Sequence, residues 1–288
     1  MKVMINHKSD LNRLYIYKII VICLLSVFLV ANTAKSQNST CEIQNNAFQS
    51  GEKLSYVITY NWFLVWTDVG AVEFEVSNER MYGQQVLNLK GTGVTFSFYD
   101  WFFQVRDVYQ SWVNPENLLP VYYHRDVNED DYIIDIKYQF DYNHMVAYSE
   151  VEKTRTPYFR DTVDIPPCTY DVISVIYQAR NIDFTKYQID EQIPFKILLD
   201  NEIHEVFIRY KGKEVRRVRG IGKFNCLKFT GSLVAGDVFK GGEDLVFWVT
   251  DDENRIPVWA ESPIIVGKIK TRLVGYEGIK HPLESLIK

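Results

Sequence analysis

From Leu54 to Tyr276, apolar and polar residues alternate with a period of two in one short segment after another. That period puts one face of a β-strand on a core and the other in water. Tyr132, Ile134, Ile136, Tyr138 and Phe140 share one face, opposite Asp135, Lys137, Gln139 and Asp141, and only Ile133 breaks the rhythm. Val72, Phe74 and Val76 alternate with Glu73 and Glu75 in the same way. The pattern predicts further strands over 54–60, 84–94, 106–113, 119–126, 145–153, 160–165, 192–199, 203–210, 214–218, 224–233, 245–250, 256–263 and 267–276. Turn chemistry separates them, as at Asn114-Pro115-Glu116-Asn117, Asn143-His144 and Lys211-Gly212-Lys213. Turns about every ten residues fit an antiparallel sandwich or barrel. A parallel sheet would need helices between its strands, and these are missing from the pattern. Residues 96–103 (FSFYDWFF) fit a short helix or a twisted loop equally well.

One stretch breaks the period of two. In 169–181 (TYDVISVIYQARN), Val172, Val175, Ile176 and Ala179 fall at i, i+3, i+4 and i+7, one face of an α-helix. Asp171, Ser174, Gln178 and Asn181 take the other face. Pro166 and Pro167 stop the preceding strand, Thr169 is placed to cap the first turn, and Asp171 sits near its positive end. A lone amphipathic helix among strands must cover its apolar stripe with a sheet. The fold expected from the residues is therefore mainly β: a strongly curved antiparallel sheet wrapped around one α-helix whose apolar stripe is the dry anchor.

The beginning of the chain adds a compartment. Residues 19–31 (IIVICLLSVFLVA) are an unbroken apolar run behind Lys2, Lys8, Arg13 and Lys18, with Ala34-Lys35-Ser36 after it. Basic leader, short apolar run and small-x-small site describe a signal peptide over 1–36, followed by a single antiparallel β domain over 37–288. The run is short for a membrane span of about 20 residues, and the alternative is an uncleaved N-terminal anchor. Cleavage would leave 27 basic and 36 acidic residues, a net charge of −9. An exported acidic protein without a span is a poor nucleic-acid binder, since phosphate neutralisation dominates that affinity. Of the three cysteines beyond the leader, Cys41 with Cys168 is the favoured disulfide, stapling the N-terminus to the start of the helix. Cys226, inside KFNCLKF, then stays free as a small buried residue.

The order of several motifs resembles a known family. These are Cys41-Glu-Ile-Gln-Asn-Asn-Ala-Phe48, Gly51-Glu-Lys-Leu-Ser-Tyr56, Cys168-Thr-Tyr-Asp-Val-Ile-Ser174, Trp248-Val-Thr-Asp-Asp252 and Arg255-Ile-Pro-Val258. Together they resemble exported bacterial proteins grouped as a domain of unknown function. The resemblance implies a signal peptide and a large antiparallel open barrel of the YmcC-like fold wrapped around one α-helix, and no known enzyme activity. By shape alone it also resembles the half-barrels that carry lipoproteins across the bacterial envelope, a fold analogy that does not fix function.

Catalytic and metal motifs are missing from the residues. The histidines have no ligand spacing, and no HExxH helix or Gly-x-Ser-x-Gly elbow occurs. His124-Arg125-Asp126 mimics a kinase triplet without the rest of the kinase signature. Glu129-Asp130-Asp131 and Asp251-Asp252-Glu253-Asn254 read as turn chemistry rather than calcium loops. No metal or cofactor is expected. Two features stand out. Aromatic residues crowd 62–66 and 96–103, as plugs for the barrel ends or as a greasy mouth, and Lys211, Lys213, Arg216, Arg217, Arg219 and Lys223 cluster on an acidic protein. The expected site takes Trp62, Trp66, Trp101 and Phe103 as its apolar part and Arg216, Arg217 and Arg219 as counter-charge for a head group. The expected partners are a lipid, an acyl chain, an envelope glycan or an envelope protein. The alternatives are a glycan hydrolase or lyase using paired carboxylates, and an assembly factor with a filled core.

Overall fold

A computed structural model of the chain describes residues 43–62, 65–233, 242–264 and 267–287. The expected leader and Cys41 lie outside them. The chain first runs as an antiparallel meander: β1 (Lys53–Trp62), β2 (Val65–Met81), β3 (Gln84–Thr95), β4 (Arg106–Val113), β5 (Pro120–Glu129), β6 (Tyr132–Asp141), β7 (Val146–Lys153) and β8 (Thr156–Asp164). A short strand β9 (Thr169–Tyr170) and a six-residue helix α1 (Ser174–Ala179) follow, then a 3₁₀ turn (Phe184–Lys186). A second meander comprises β10 (Gln192–Leu199), β11 (Glu202–Val218), β12 (Gly222–Leu233), β13 (Gly242–Thr250), β14 (Pro257–Pro263) and β15 (Lys268–Glu277). A final short strand, β16 (Leu286–Ile287), pairs with β12. Pairing of β1 with β15 joins the two meanders into one sheet. Its path runs from β8 to β9 without closing on itself. Every pairing is antiparallel except the parallel contact of β9 with β10. Within the described residues no helix is long and apolar enough to cross a membrane.

Most of the strand pattern holds, and β6 shows why. Ile134, Ile136, Tyr138 and Phe140 are buried, while Asp135, Lys137, Gln139 and Asp141 lie on the opposite face of the pleat. The Asp141 carboxylate accepts from the backbone N–H of Asn143 (3.0 Å) and His144 (3.1 Å), which closes the expected turn into β7. The expected turn at Lys211-Gly212-Lys213 is corrected. β11 runs unbroken through it as a 17-residue strand, and the register against β12 shifts between Tyr210 and Lys213. Gly212, at φ +97, supplies the left-handed conformation of a bulge, so the chain bends there and does not reverse.

The helix departs further from expectation. It is shorter than 169–181, because Thr169 and Tyr170 are drawn into the sheet beside Lys196 and Ile197. Thr169 is no cap: its hydroxyl donates to the Pro166 carbonyl at 2.7 Å. Asp171 starts the helix instead, its Oδ1 accepting from the N–H of Ile173 (2.8 Å) and Ser174 (2.9 Å). The buried face is the polar one. Asp171 and Ser174 are wholly buried and Gln178 nearly so, whereas Ile176 is 39 % exposed. Hydrogen bonds explain the inversion, since Ser111 on β4 donates to Asp171 Oδ2 at 2.5 Å and Ser174 Oγ accepts from the Asp171 N–H at 3.0 Å. Burial pushes the Asp171 carboxyl above its ordinary range.

Two core clusters receive the helix. Ile173 and Tyr177 join the core of the first meander, and Tyr177 meets Phe48 edge-on at 4.7 Å between ring centroids. Val175 and Ala179 border a second cluster built from Phe195, Phe229 and Val249. At the C-terminal end, Arg180 forms a buried ion pair with Glu52 (2.6 and 2.9 Å), and also donates to the Asn254 carbonyl. The guanidinium lies over the rings of Phe48 and Tyr177. This one side chain ties the residues before β1, the end of α1 and the β13–β14 turn together.

Candidate functional site

A cavity of about 590 Å³ lies against the apolar stripe of α1. All four stripe residues, Val172, Val175, Ile176 and Ala179, line it. Phe195, Ile197 and Leu199 on β10 contribute to its wall, as do Ile208, Phe229 and Phe247 on the neighbouring strands. Leu54, Tyr56 and Phe74 bring in the first meander. Among the described residues none lining it is acidic, and its charged groups are Arg180 and Arg255. Arg180 is neutralised by Glu52. Arg255 lies over the Phe184 ring at 5.2 Å and donates through Nη1 to the carbonyls of Arg180 and Ile182, just past α1. Burial holds its pKa below the usual guanidinium value, although it remains charged throughout the physiological range.

The residues expected to form the site lie elsewhere. Trp66 is 42 % exposed and packs under the Lys270 ammonium, 3.7 Å from the ring centroid. Trp101 and Phe103 belong to the 96–103 segment, a run of turns whose Phe98, Trp101 and Phe102 are among the most exposed apolar side chains described. Tyr99 anchors that segment to β2 through a 2.6 Å hydroxyl contact with Thr67. None of these aromatics lines the cavity, and the side chain of Trp62 is outside the described residues. Arg216 is flanked by the rings of Trp248 (4.1 Å) and Trp259 (4.4 Å) and paired with Glu261 at 2.7 Å. Trp248 sits in β13 between Phe247 and Val249, two cavity-lining residues, so the pleat turns its side chain to the other face of the sheet. Arg217 and Arg219 border a separate recess of about 370 Å³ at the β11–β12 turn.

Cys168 is disulfide-bonded, while Cys226 is free and buried. The expected partner Cys41 is not among the described residues. Burial pushes the Cys226 thiol up to about 12, which keeps it protonated and unreactive. His124 hydrogen-bonds Asp135 at 3.2 Å and Arg125 forms an ion pair with Asp200, so these members of the kinase-like triplet are engaged within the sheet. The Asp251–Asn254 turn is internally satisfied, with Asp252 accepting from Thr250 Oγ1 and the Asn254 N–H. No cluster of potential metal ligands occurs among the described residues.

Arg255 and the cavity walls were missed by sequence reasoning. The signal available was the stripe of α1, which was correctly singled out and assigned to the wrong neighbour.

Residues 55–274 match the family model described as Protein of unknown function (DUF3108). No curated protein is detectably similar in sequence. Among solved structures, the β-barrel-like protein of domain of unknown function DUF1849 from Brucella abortus is similar at a TM-score of 0.51 and 8 % identity. The similarity covers 80 % of this chain and 98 % of that one, and at such identity it speaks for the fold alone.

Proposed function

This chain belongs to the DUF3108 family of unknown function, and we propose that it is a non-enzymatic carrier holding a hydrophobic or amphipathic ligand in its cavity. In this reading the curved, YmcC-like sheet wraps around α1, and the leader over 1–36 takes the protein out of the cytoplasm to the cell envelope. The observation that carries it is the inverted helix. An apolar stripe at 3.6-residue spacing ordinarily packs on a core, yet here it faces about 590 Å³ of unfilled space. That volume is typical of a ligand site. Burial of each ligand methylene there contributes about 0.8 kcal/mol. The lining argues against a glycan hydrolase, which needs carboxylates converging on a polar cleft. The empty volume argues against an assembly factor with a filled core.

The test is native mass spectrometry of the full chain expressed with its leader, together with titration of a fluorescent long-chain lipid probe. Co-purified lipid and saturable probe binding are expected. Ile176→Trp, which fills the cavity from its wall, should weaken the probe about tenfold or more. Absence of both lipid and probe binding would overturn the proposal, as would binding indifferent to Ile176→Trp.

A further inference from the structure

The cavity's two guanidinium groups differ in what neutralises them. Arg180 is satisfied on all sides by Glu52, two backbone carbonyls and two aromatic rings. Arg255 makes no ion pair among the described residues, and its Nε and Nη2 have no hydrogen-bond partner there. Four carboxylates are close enough to influence its charge: Asp183, Asp251, Asp252 and Glu253. Each is engaged elsewhere. Asp183 pairs with Lys186 and Thr185, Asp251 with Lys213, and Glu253 with His281. Asp252 accepts from Thr250, Asn254 and Ser285. The wall of an otherwise apolar cavity thus carries one half-buried cation that no carboxylate pairs with directly and whose Nε and Nη2 no described protein group accepts. Such a guanidinium fork is open to an anionic group entering the cavity.

We infer that the ligand is a long-chain carboxylate, its chain along the α1 stripe and its carboxyl group on Arg255 Nε and Nη2. This rests on the carrier reading and adds the head group to it. A guanidinium fork matches a carboxylate in bidentate geometry. One cation balances one negative charge, whereas a phosphate monoester brings nearly two. A cavity of about 590 Å³ is in the range of sites for molecules of this size, and palmitate serves as the probe.

The full chain, Arg255→Gln and Arg255→Lys are titrated with palmitate, hexadecanol and hexadecyl phosphate, with melting curves as a folding control. The wild type should bind palmitate and hexadecanol. Arg255→Gln should weaken palmitate about 10- to 100-fold while changing hexadecanol less than about twofold, the loss expected for a charged hydrogen bond alone. Arg255→Lys keeps the charge but not the fork and should recover part of the palmitate affinity; if the Gln variant does not fold, the Lys variant carries the comparison through its palmitate-to-alcohol ratio. Equal losses for acid and alcohol, or no loss for either, would overturn the head-group assignment and leave the carrier reading standing. Hexadecyl phosphate bound more tightly than palmitate in an Arg255-dependent way would overturn the carboxylate. A wild type that binds none of the three would overturn the carrier reading itself.

Discussion

At the scale of single residues, the most consequential pair is Glu52 with Arg180. Both side chains are almost fully buried, and removing one partner strands a charge in a dry site. Glu52→Gln or Arg180→Ala should cost about 3–5 kcal/mol in chemical denaturation, and loss below about 1 kcal/mol would mean that water reaches the pair. Asp107 offers a pH test. Burial, with Glu129 nearby, pushes its carboxyl up to about 6. The folded protein therefore holds that proton more tightly than the unfolded chain, whose aspartates titrate near about 4. The stabilisation it provides is complete below that value and is lost as pH rises through about 6. Asp107→Asn should thus gain about 1–3 kcal/mol on the wild type between pH 4 and pH 7. Urea melts at the two pH values would show a constant difference if Asp107 titrated normally. None of the three residues was legible in the sequence, because a charge in or beside a strand looks like any solvated charge until a distant partner is known.

At the scale of elements, α1 separates two kinds of sequence information. Its apolar stripe was legible from spacing, and so were the strand faces of β6 and β2. Which face of the helix meets the core was not legible, because the decision lies with Ser111, sixty residues away, and its hydrogen bond to Asp171. Ile176 is only partly covered, so Ile176→Ala should cost less than the roughly 2–5 kcal/mol of a packed core site. Ser174→Ala, though polar, should cost about 1–3 kcal/mol, because the Asp171 N–H loses its acceptor. Thermal melts of the two variants should therefore rank them opposite to their hydrophobicity. A larger loss for Ile176→Ala would return the stripe to the core. The same reasoning applies to Lys211-Gly212-Lys213, where the chemistry that reads as a hairpin turn could not distinguish a bulge from a reversal.

At the scale of the whole molecule, an open sheet leaves two edges, and both are guarded. β9 is two residues long, and the exposed β8 carries Pro157, Arg160, Asp161 and Asp164 along its length, features that discourage pairing with another chain. Replacing Pro157, Arg160 and Asp161 by valine should shift the protein to larger species in size-exclusion chromatography; an unchanged elution volume would show that the edge is covered by other means. The antiparallel class followed from alternation and turn spacing, whereas the site did not, since its walls come from both meanders and from strands far apart in the chain. The inverted helix also separates two processes that cavities often couple. α1 is held from behind by Asp171, Ser111, Ser174 and Arg180, so its position does not depend on anything occupying the space in front. Occupancy by the proposed ligand would then stabilise the fold only by mass action, rising with the logarithm of ligand concentration over Kd. In the proposed carrier, a helix anchored on its far side would let a ligand enter and leave without refolding of the wall.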